Sequence, residues 1–277
     1  MSTPLYQATL DALKEQNLDV QPLPNGTLQA TSGRGPSKRT TPLDLSALER
    51  FVVDHPDAGH KRAAAGFAAG VAAVHDEPVR SKADQWGFVE CAGRLSPSLQ
   101  YQTFEHGHVA ACGHRPWLLD FSDDLRVAYS IELDRGRRTL TRPQYEGWNV
   151  TEDRITAASR SLLFYKTAQD AMHGKFEPHP PSGGQFYSLA DGYDAARALI
   201  IQDLDYQRAR RGIIFAVPHQ DILLLRNTTD DNQALAQFTQ AVQEAFDASQ
   251  YPLTTQLYTY DPQLRSHRPL NPQEPTP

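Results

Sequence analysis

The sequence predicts an α+β fold, with mixed or antiparallel sheets and helices packed on one face. Apolar residues recur at helical spacing over residues 60–74 and 232–249, and gather in short alternating or continuous runs over 125–133, 213–217 and 222–225. Turn signals at Asn25-Gly26, Arg135-Gly136-Arg137 and Pro218-His219-Gln220-Asp221 join neighbouring runs as hairpins. Hydrophobic residues make up 39% of the 277 and charged residues 22%, a balance that buries a core.

Taken in order, residues 4–16 set Leu5, Leu10 and Leu13 near helical spacing, predicting an amphipathic opening helix. Residues 20–30 carry the Asn25-Gly26 hairpin signal, with Pro22 and Pro24 making the first arm irregular. Residues 31–41 read as an exposed loop whose Arg34, Lys38 and Arg39 are solvated cations, with contact to an anion as the functional alternative. Ser46 and Glu49 have the spacing of a capping box at the start of a helix over 43–53. The helix over 60–74 buries Ala64, Phe67, Ala68 and Val71, and Gly66 and Gly70 on that face predict a close helix crossing rather than a ligand site. Residues 81–90 read as helical, with Trp86 and Val89 packing inward. Residues 103–115 read as an extended or loop segment. There His106 and His108 have a metal-ligand spacing, since alternate side chains of a strand share a face. His114 follows, but no third ligand stands at a recognisable spacing, so surface histidines are the expectation. A Cys112–His114 pairing lacks a third partner in the same way.

From Trp117 the pattern sharpens. Residues 125–133 and 139–141 form a hairpin around Arg135-Gly136-Arg137. Asp120, Asp123 and Asp124 lack the glycine and terminal glutamate of a calcium loop and read as solvated turn residues. Thr151 caps an amphipathic helix over 155–164, residues 166–184 form a Pro-rich loop or lid containing His173 and His179, and 186–189 is a short strand. A helix over 193–211 carries Ala196, Leu199, Ile200 and Leu204 on one face. Gly212 ends it, with Arg208, Arg210 and Arg211 in its last turns. The hairpin at 213–225, a helix at 232–249 burying Leu235, Phe238, Val242 and Phe246, and a strand at 257–260 complete the order. Hairpin, helix and strand thus recur over 125–189 and 213–260, suggesting two ββαβ units joined by the helix at 193–211. The organisation expected is a helix- and hairpin-rich N-terminal region (1–115), an α+β C-terminal region (116–262) and a disordered tail (263–277) rich in Pro, Gln and Arg.

A net charge of −6 and a pI near 5.9 argue against a general nucleic-acid or acidic-lipid binder. The two cysteines, Cys91 and Cys112, make no Cys-x-x-Cys motif and fit a reduced setting. The first residues lack a basic stretch followed by an apolar one, and no apolar run approaches the roughly 18–20 residues of a membrane span. A soluble, cytoplasmic protein is expected, with no membrane partner. Dinucleotide, phosphate-loop, serine-hydrolase and zinc-protease signatures are absent from the sequence, and no cofactor or metal is expected.

Residues 191–197, DGYDAAR, residues 216–225, AVPHQD followed by ILLL, and Leu133-Asp134 before the hairpin turn resemble the UPF0354 proteins, also called the DUF1444 or YtpQ-like family. The similarity is strongest over 117–226, continues through Thr41-Pro42-Leu43-Asp44-Leu45, and is poor over 86–115. It implies a bacterial cytosolic protein and brings no catalytic or binding residue with it.

Read by their own chemistry, Asp191 and Asp194 flank a helix start, where a carboxylate caps free N–H groups and meets the positive end of the dipole. Arg197 stands three residues after Asp194 and pairs with it along the helix, or else points to an anion. His219 and Asp221 place imidazole beside carboxylate, the candidate acid–base pair, although a hairpin corner explains both without function. The expected function is a non-enzymatic protein- or peptide-binding module using a sheet face or edge strand. The alternative is a hydrolase-like or anion-binding enzyme that gathers His219, Asp221, Asp191, Asp194 and Arg197 around one cleft. An apolar edge strand is also consistent with a homo-oligomer.

Overall fold

The computed structural model describes residues 3–24, 27–33, 38–77, 85–172, 185–204, 209–228, 232–263 and 266–270. Leu5, Ala12 and Leu13 give helix α1 (Thr3–Glu15) its buried stripe. Strands β1 (Asp19–Pro22), β2 (Leu28–Ser32) and β3 (Arg39–Leu43) follow and form an antiparallel sheet in that order. The Asn25-Gly26 turn lies outside the described residues, but Pro22 pairs with Leu28, so the two arms of the expected hairpin are in place. The loop expected over 31–41 is instead strand at both ends. Thr31 and Thr40 are cross-strand partners, and β-branched residues on a half-buried pleat outweigh the polar composition. Lys38 is exposed and Arg34 lies outside the described residues, while the Arg39 guanidinium donates to the carbonyls of Val74 and Glu77. Arg39 thereby ends a helix rather than meeting a ligand.

Helix α2 (Ser46–Asp54) begins one residue earlier than a Ser46 cap requires, with Leu45 in the cap position. Asp44 accepts both the Ser46 backbone N–H (2.9 Å) and its hydroxyl (3.0 Å), so the capping carboxylate is Asp44. Helix α3 (His60–His75) and helix α5 (Phe104–Cys112) make the close crossing predicted by Gly66 and Gly70. A Cβ on Gly70 would sit 2.1 Å from the Phe104 carbonyl oxygen, and one on Gly107 would sit 1.9 Å from that of Phe67. Backbone meets backbone there, so only glycine fits. The helical α5 also corrects the extended reading of 103–115. On a helix His106 and His108 diverge, with His106 against the Phe51 ring and His108 fully buried. Among the described residues no group of three or more His, Cys, Asp or Glu side chains is placed to hold a metal ion. Between these helices the chain makes a short helix α4 (Phe88–Cys91), where Val89 is 83% exposed rather than inward. It continues into β4 (Leu95–Tyr101), a strand the sequence reading passed over.

The second sheet pairs β4 with β6 (Leu125–Glu132), whose other edge carries β5 (Leu118–Asp120) and β7 (Arg137–Thr139) end to end. Asp120 pairs with Arg126 (3.1 Å) and Asp124 with Arg62 (3.1 Å), so two of the three turn aspartates are held by arginines. Helix α6 (Arg142–Trp148) leads into α7 (Glu152–Met172), which runs on through the stretch expected to begin a loop at residue 166. Its buried residues Ile155, Ser159, Leu163 and Thr167 repeat every four positions. Residues 173–184, with His173 and His179, lie outside the described residues.

The third sheet has the order β12-β11-β9-β10-β8. Strand β8 (Gln185–Tyr187) is one edge, and β9 (Ile213–His219) and β10 (Ile222–Asn227) form the expected hairpin. Ile213, Phe215 and Val217 of β9 join the main core, while Ile214 and Ala216 pack under Phe238 and Val242 of helix α9 (Asn232–Ala248). A strand covered on both faces reads as a continuous apolar run, and each such side chain contributes about 1.5–3 kcal/mol by its burial. Between β8 and β9, the helix expected over 193–211 begins as a 3₁₀ segment (Ala195–Ile200) and continues as helix α8 (Ile201–Leu204), while residues 205–208, Arg208 among them, lie outside the described residues. Strand β11 (Leu257–Asp261) pairs with β9, and β12 (Ser266–Pro269) pairs with β11. Those residues belong to the stretch whose composition predicts a disordered tail. The His267 ring stacks on Phe121 at 3.9 Å and Nε2 lies 2.8 Å from the Phe121 carbonyl, anchors that composition does not reveal.

The fold class is α+β, as expected, and its sheets are antiparallel. Of the two ββαβ units, the second closes as β9-β10-α9-β11. The first does not. Its hairpin β6-β7 stays in the second sheet while β8 crosses to pair with β10 in the third. The main core runs from Leu5 to Tyr258, and two smaller buried clusters lie beside it, one around Leu163 and Tyr193 and one between β9 and α9.

Candidate functional site

DGYDAAR folds around one guanidinium. Arg197 is wholly buried, and its Nη1 donates to Asp194 Oδ1 (2.8 Å) and Asp191 Oδ1 (3.0 Å). Nη2 donates to Asp191 Oδ2 (2.7 Å), with Asp170 Oδ2 at 3.5 Å, and Nε donates to the Thr167 hydroxyl (3.2 Å). The other Asp194 oxygen accepts the backbone N–H groups of Leu189 and Ala190, both at 2.9 Å. Ala190 itself has a positive φ of 52°, so this carboxylate holds a strained turn in place. Burial pushes the Asp194 carboxyl up to about 6, against the opposing pull of Arg197. Burial alone would raise Asp191 too, but its bonds to Arg197 and the adjacent charge hold it below the ordinary carboxylate value. The arrangement is a clamp between α7 and the turn before the 3₁₀ segment, closed to solvent at its cation.

The corner is tighter than Pro218 to Asp221. Pro218 and His219 are the last residues of β9, Ile222 pairs with His219, and only Gln220 and Asp221 form the loop. His219 Nδ1 accepts the backbone N–H of Asp221 at 3.2 Å, so main chain rather than carboxylate orients the ring. Burial lowers the His219 pKa, with the Asp221 charge opposing. The structure therefore brings Asp191, Asp194 and Arg197 together and sets His219 beside Asp221. The two groups are linked by the Ala195 N–H donating to the Gln220 carbonyl (3.1 Å).

The opening in this part of the molecule lies next to both groups. It is a cleft of about 540 Å³ between α3 and the second sheet. Strand β4 reads Leu-Ser-Pro-Ser-Leu-Gln-Tyr, and its register places Ser96, Ser98 and Gln100 on the face shared with Ala128 and Ser130. Ser98, Gln100, Ser130 and Thr139 line the cleft from the sheet, and Ala69, Ala72 and Asp76 line it from the helix. At its rim stand Gly136 and Arg137, just after Leu133-Asp134, with Gly192 of DGYD and Gln220 of the corner. Two of the stretches that carry the family resemblance, DGYDAAR through Gly192 and AVPHQD through Gln220, thus reach one cleft, and the turn after Leu133-Asp134 borders it, although the charged residues singled out in them point elsewhere.

A directed chain of hydrogen bonds crosses its sheet side. Gln220 Nε2 donates to Gln100 Oε1 (2.9 Å), and Gln100 Nε2 donates to Ser98 Oγ (3.1 Å). The Ser98 hydroxyl then keeps its own proton for an acceptor in the cleft. Asp76, exposed at the C-terminal end of α3, has its carboxyl pKa raised by the protein packed around it. Alternation in Leu-Ser-Pro-Ser-Leu-Gln-Tyr was the available sequence signal, and Pro97 in mid-strand obscured it.

A UPF0354 protein of Staphylococcus haemolyticus is 26% identical over 156 residues, covering 54% of this chain and 51% of that one. A UPF0354 protein of Listeria welshimeri is 26% identical over 155 residues, covering 54% and 55%. UPF0354 protein YtpQ of Bacillus subtilis is 28% identical over 118 residues, 41% of each chain. The chain spans about half the length of the curated relatives it matches. No family model and no solved structure matches it. Among the described residues no helix is long and apolar enough to cross a membrane. Over that shared half, the chain is similar to the UPF0354 proteins.

Proposed function

We propose that the chain is a binding module that receives a short stretch of polypeptide in the cleft between α3 and the second sheet. The observation that carries this reading is the bond chain from Gln220 through Gln100 to the Ser98 hydroxyl, which lines an opening of about 540 Å³. A volume of that size is typical of ligand sites, which lie between roughly 300 and 1,000 Å³. Ser98, Ser130 and Thr139 hydroxyls each donate and accept, which suits the alternating N–H and C=O groups of an extended backbone. Small alanines on α3 leave room for that backbone to approach. The enclosure of Arg197 argues against an anion-binding enzyme built on the Asp191, Asp194 and Arg197 group. A reduced, cytosolic setting belongs to the same proposal and is supported by two unpaired cysteines, Cys91 and Cys112.

Fluorescence anisotropy with a panel of labelled tri- and tetrapeptides tests it. Saturable binding by members of the panel is expected, weakened about five- to tenfold in Ser98→Ala and in Ser130→Ala, since a lost hydrogen bond is worth about 1 kcal/mol. Absence of saturable binding to the wild type, or affinities untouched by both substitutions in folded protein, would overturn the reading.

A further inference from the structure

We infer that Arg137 reads a carboxylate at the rim of this cleft, and that the segment received there is the C-terminal end of a peptide. The inference rests on the cleft being a peptide site. Arg137 opens β7 just after the Asp134-Arg135-Gly136 turn and is exposed at the cleft. Its guanidinium lies 4.5 Å over the Tyr193 ring, and Nη2 donates to the Asp191 carbonyl at 3.4 Å. These contacts hold the cation in place without neutralising it. Other arginines of the described region pair with carboxylates: Arg62 with Asp124, Arg94 with Asp134, Arg126 with Asp120 and Arg160 with Asp203. Arg137 pairs with none among the described residues.

The missing counterion has a local cause. The cross-strand partner of Arg137 is Glu132, the natural counterion in this register. Glu132 instead accepts the Tyr193 hydroxyl with Oε1 and the Lys166 ammonium with Oε2, the latter at 2.9 Å. Tyr193 therefore serves as a platform for Arg137 while its hydroxyl and Lys166 occupy the Glu132 carboxylate, and Arg197 holds that of Asp191. A guanidinium stacked on an aromatic ring loses little freedom when it binds, and its planar fork matches the two oxygens of a carboxylate. Gly192 flanks it with φ of +77°, and a Cβ there would lie 3.5 Å from Nη1, so glycine keeps that side of the fork open. A peptide C-terminus supplies both features the cleft asks for, a backbone for Ser98, Ser130 and Thr139 and a carboxylate for Arg137. Asp76 lines the same cleft and disfavours an anion at its own end, which sets the direction in which the peptide lies.

The test follows the Arg137 Nε–Hε resonance of the full chain during titration with N-acetyl-Ala-Ala-Ala as the free acid, with its carboxamide, and with sodium acetate. The acid is expected to bind at least tenfold more tightly than the amide and to shift the Arg137 signal. In Arg137→Gln the two peptides are expected to bind alike, and Arg137→Lys, which keeps the charge but not the fork, is expected to recover only part of the preference. Equal affinities for acid and amide in the wild type, or an acid preference surviving in Arg137→Gln, would overturn the carboxylate assignment and leave the cleft as a peptide site. A saturable acetate shift confined to Arg137, with no binding of either peptide, would keep the carboxylate and remove the peptide. No response to any of the three probes would overturn both.

Discussion

At the scale of single residues, charge burial separates structural groups from those offered to a ligand. Arg197 and Arg137 stand close together in the fold, one through DGYDAAR and the other through its bond to Asp191. Yet Arg197 is enclosed by three aspartates and a threonine while Arg137 has only a ring and a carbonyl. Removing a partner from a buried ion pair costs about 3–5 kcal/mol, because the remaining charge stays uncompensated. Arg197→Ala is therefore expected to lower stability by that amount in urea unfolding, and a loss under 1 kcal/mol would contradict the clamp. Sequence spacing sufficed for the Asp194–Arg197 pair. It did not reveal Thr167 and Asp170, because the serine and threonine in the four-residue repeat of α7 broke its apolar signal and α7 was expected to end before them.

Buried histidines give the same scale a pH dependence. Desolvation, aided by the Arg39 charge, lowers His75 to about 4, and its buried Nε2 has no hydrogen-bond partner among the described residues. The unfolded chain binds the proton near 6.5 and the folded one only near 4, so the contribution of His75 is full above pH 6.5 and is lost as pH falls towards 4. Asp194 runs the other way, since its raised pKa gives stability that is full below its ordinary 3.8 and is lost as pH rises through about 6. The two oppose each other in one window, so the comparison must be made in variants. Between pH 7.5 and 4.5, His75→Gln should lose about 2 kcal/mol less stability than the wild type, and equal losses would show that His75 is not held neutral.

At the scale of elements, the α3–α5 crossing was legible because it rests on glycines at fixed spacing. Its partner was not, because α5 reads as a histidine-rich stretch of no clear period until the backbone contact with Gly107 is seen. Gly70→Ala forces a methyl to 2.1 Å from the Phe104 carbonyl, and a helix cannot give way there without opening the crossing. A destabilisation of about 3 kcal/mol or failure to fold is expected, measured by thermal unfolding. The small intrinsic gain of alanine over glycine in a helix, about 1 kcal/mol, would appear instead if the crossing were loose. The polar face of β4 was missed for a related reason: Pro97 argues against a strand unless tertiary pairing overrides it, and pairing with β6 does so from Leu95 to Tyr101.

At the scale of the whole molecule, the alternation of helices and hairpins established the class, but not which sheet each strand would join. Strand β8 has three paired residues, and nothing local tells it to pair with β10 rather than with its own hairpin. The third sheet is tied to the second by aromatic contacts across sequence distance. Phe121 stacks on His267 and meets Tyr258 edge-on at 5.4 Å, and the Tyr258 hydroxyl donates to Ser122 (3.0 Å). His267→Ala removes the stack and the bond to the Phe121 carbonyl, with an expected loss of about 1–3 kcal/mol in urea unfolding. A negligible loss would mean that β12 is held by its ladder alone.

The cleft is a product of that same assembly, since α3, the second sheet, the DGYD turn and the Gln220 corner meet only when the second and third sheets are in place. The most direct measurement of its role is a crystal structure of the chain grown with N-acetyl-Ala-Ala-Ala. The account predicts an extended peptide between α3 and β4, its backbone on Ser98 and Ser130 and its carboxylate on Arg137. A peptide bound elsewhere, such as along β12, with the cleft holding only solvent, would contradict it.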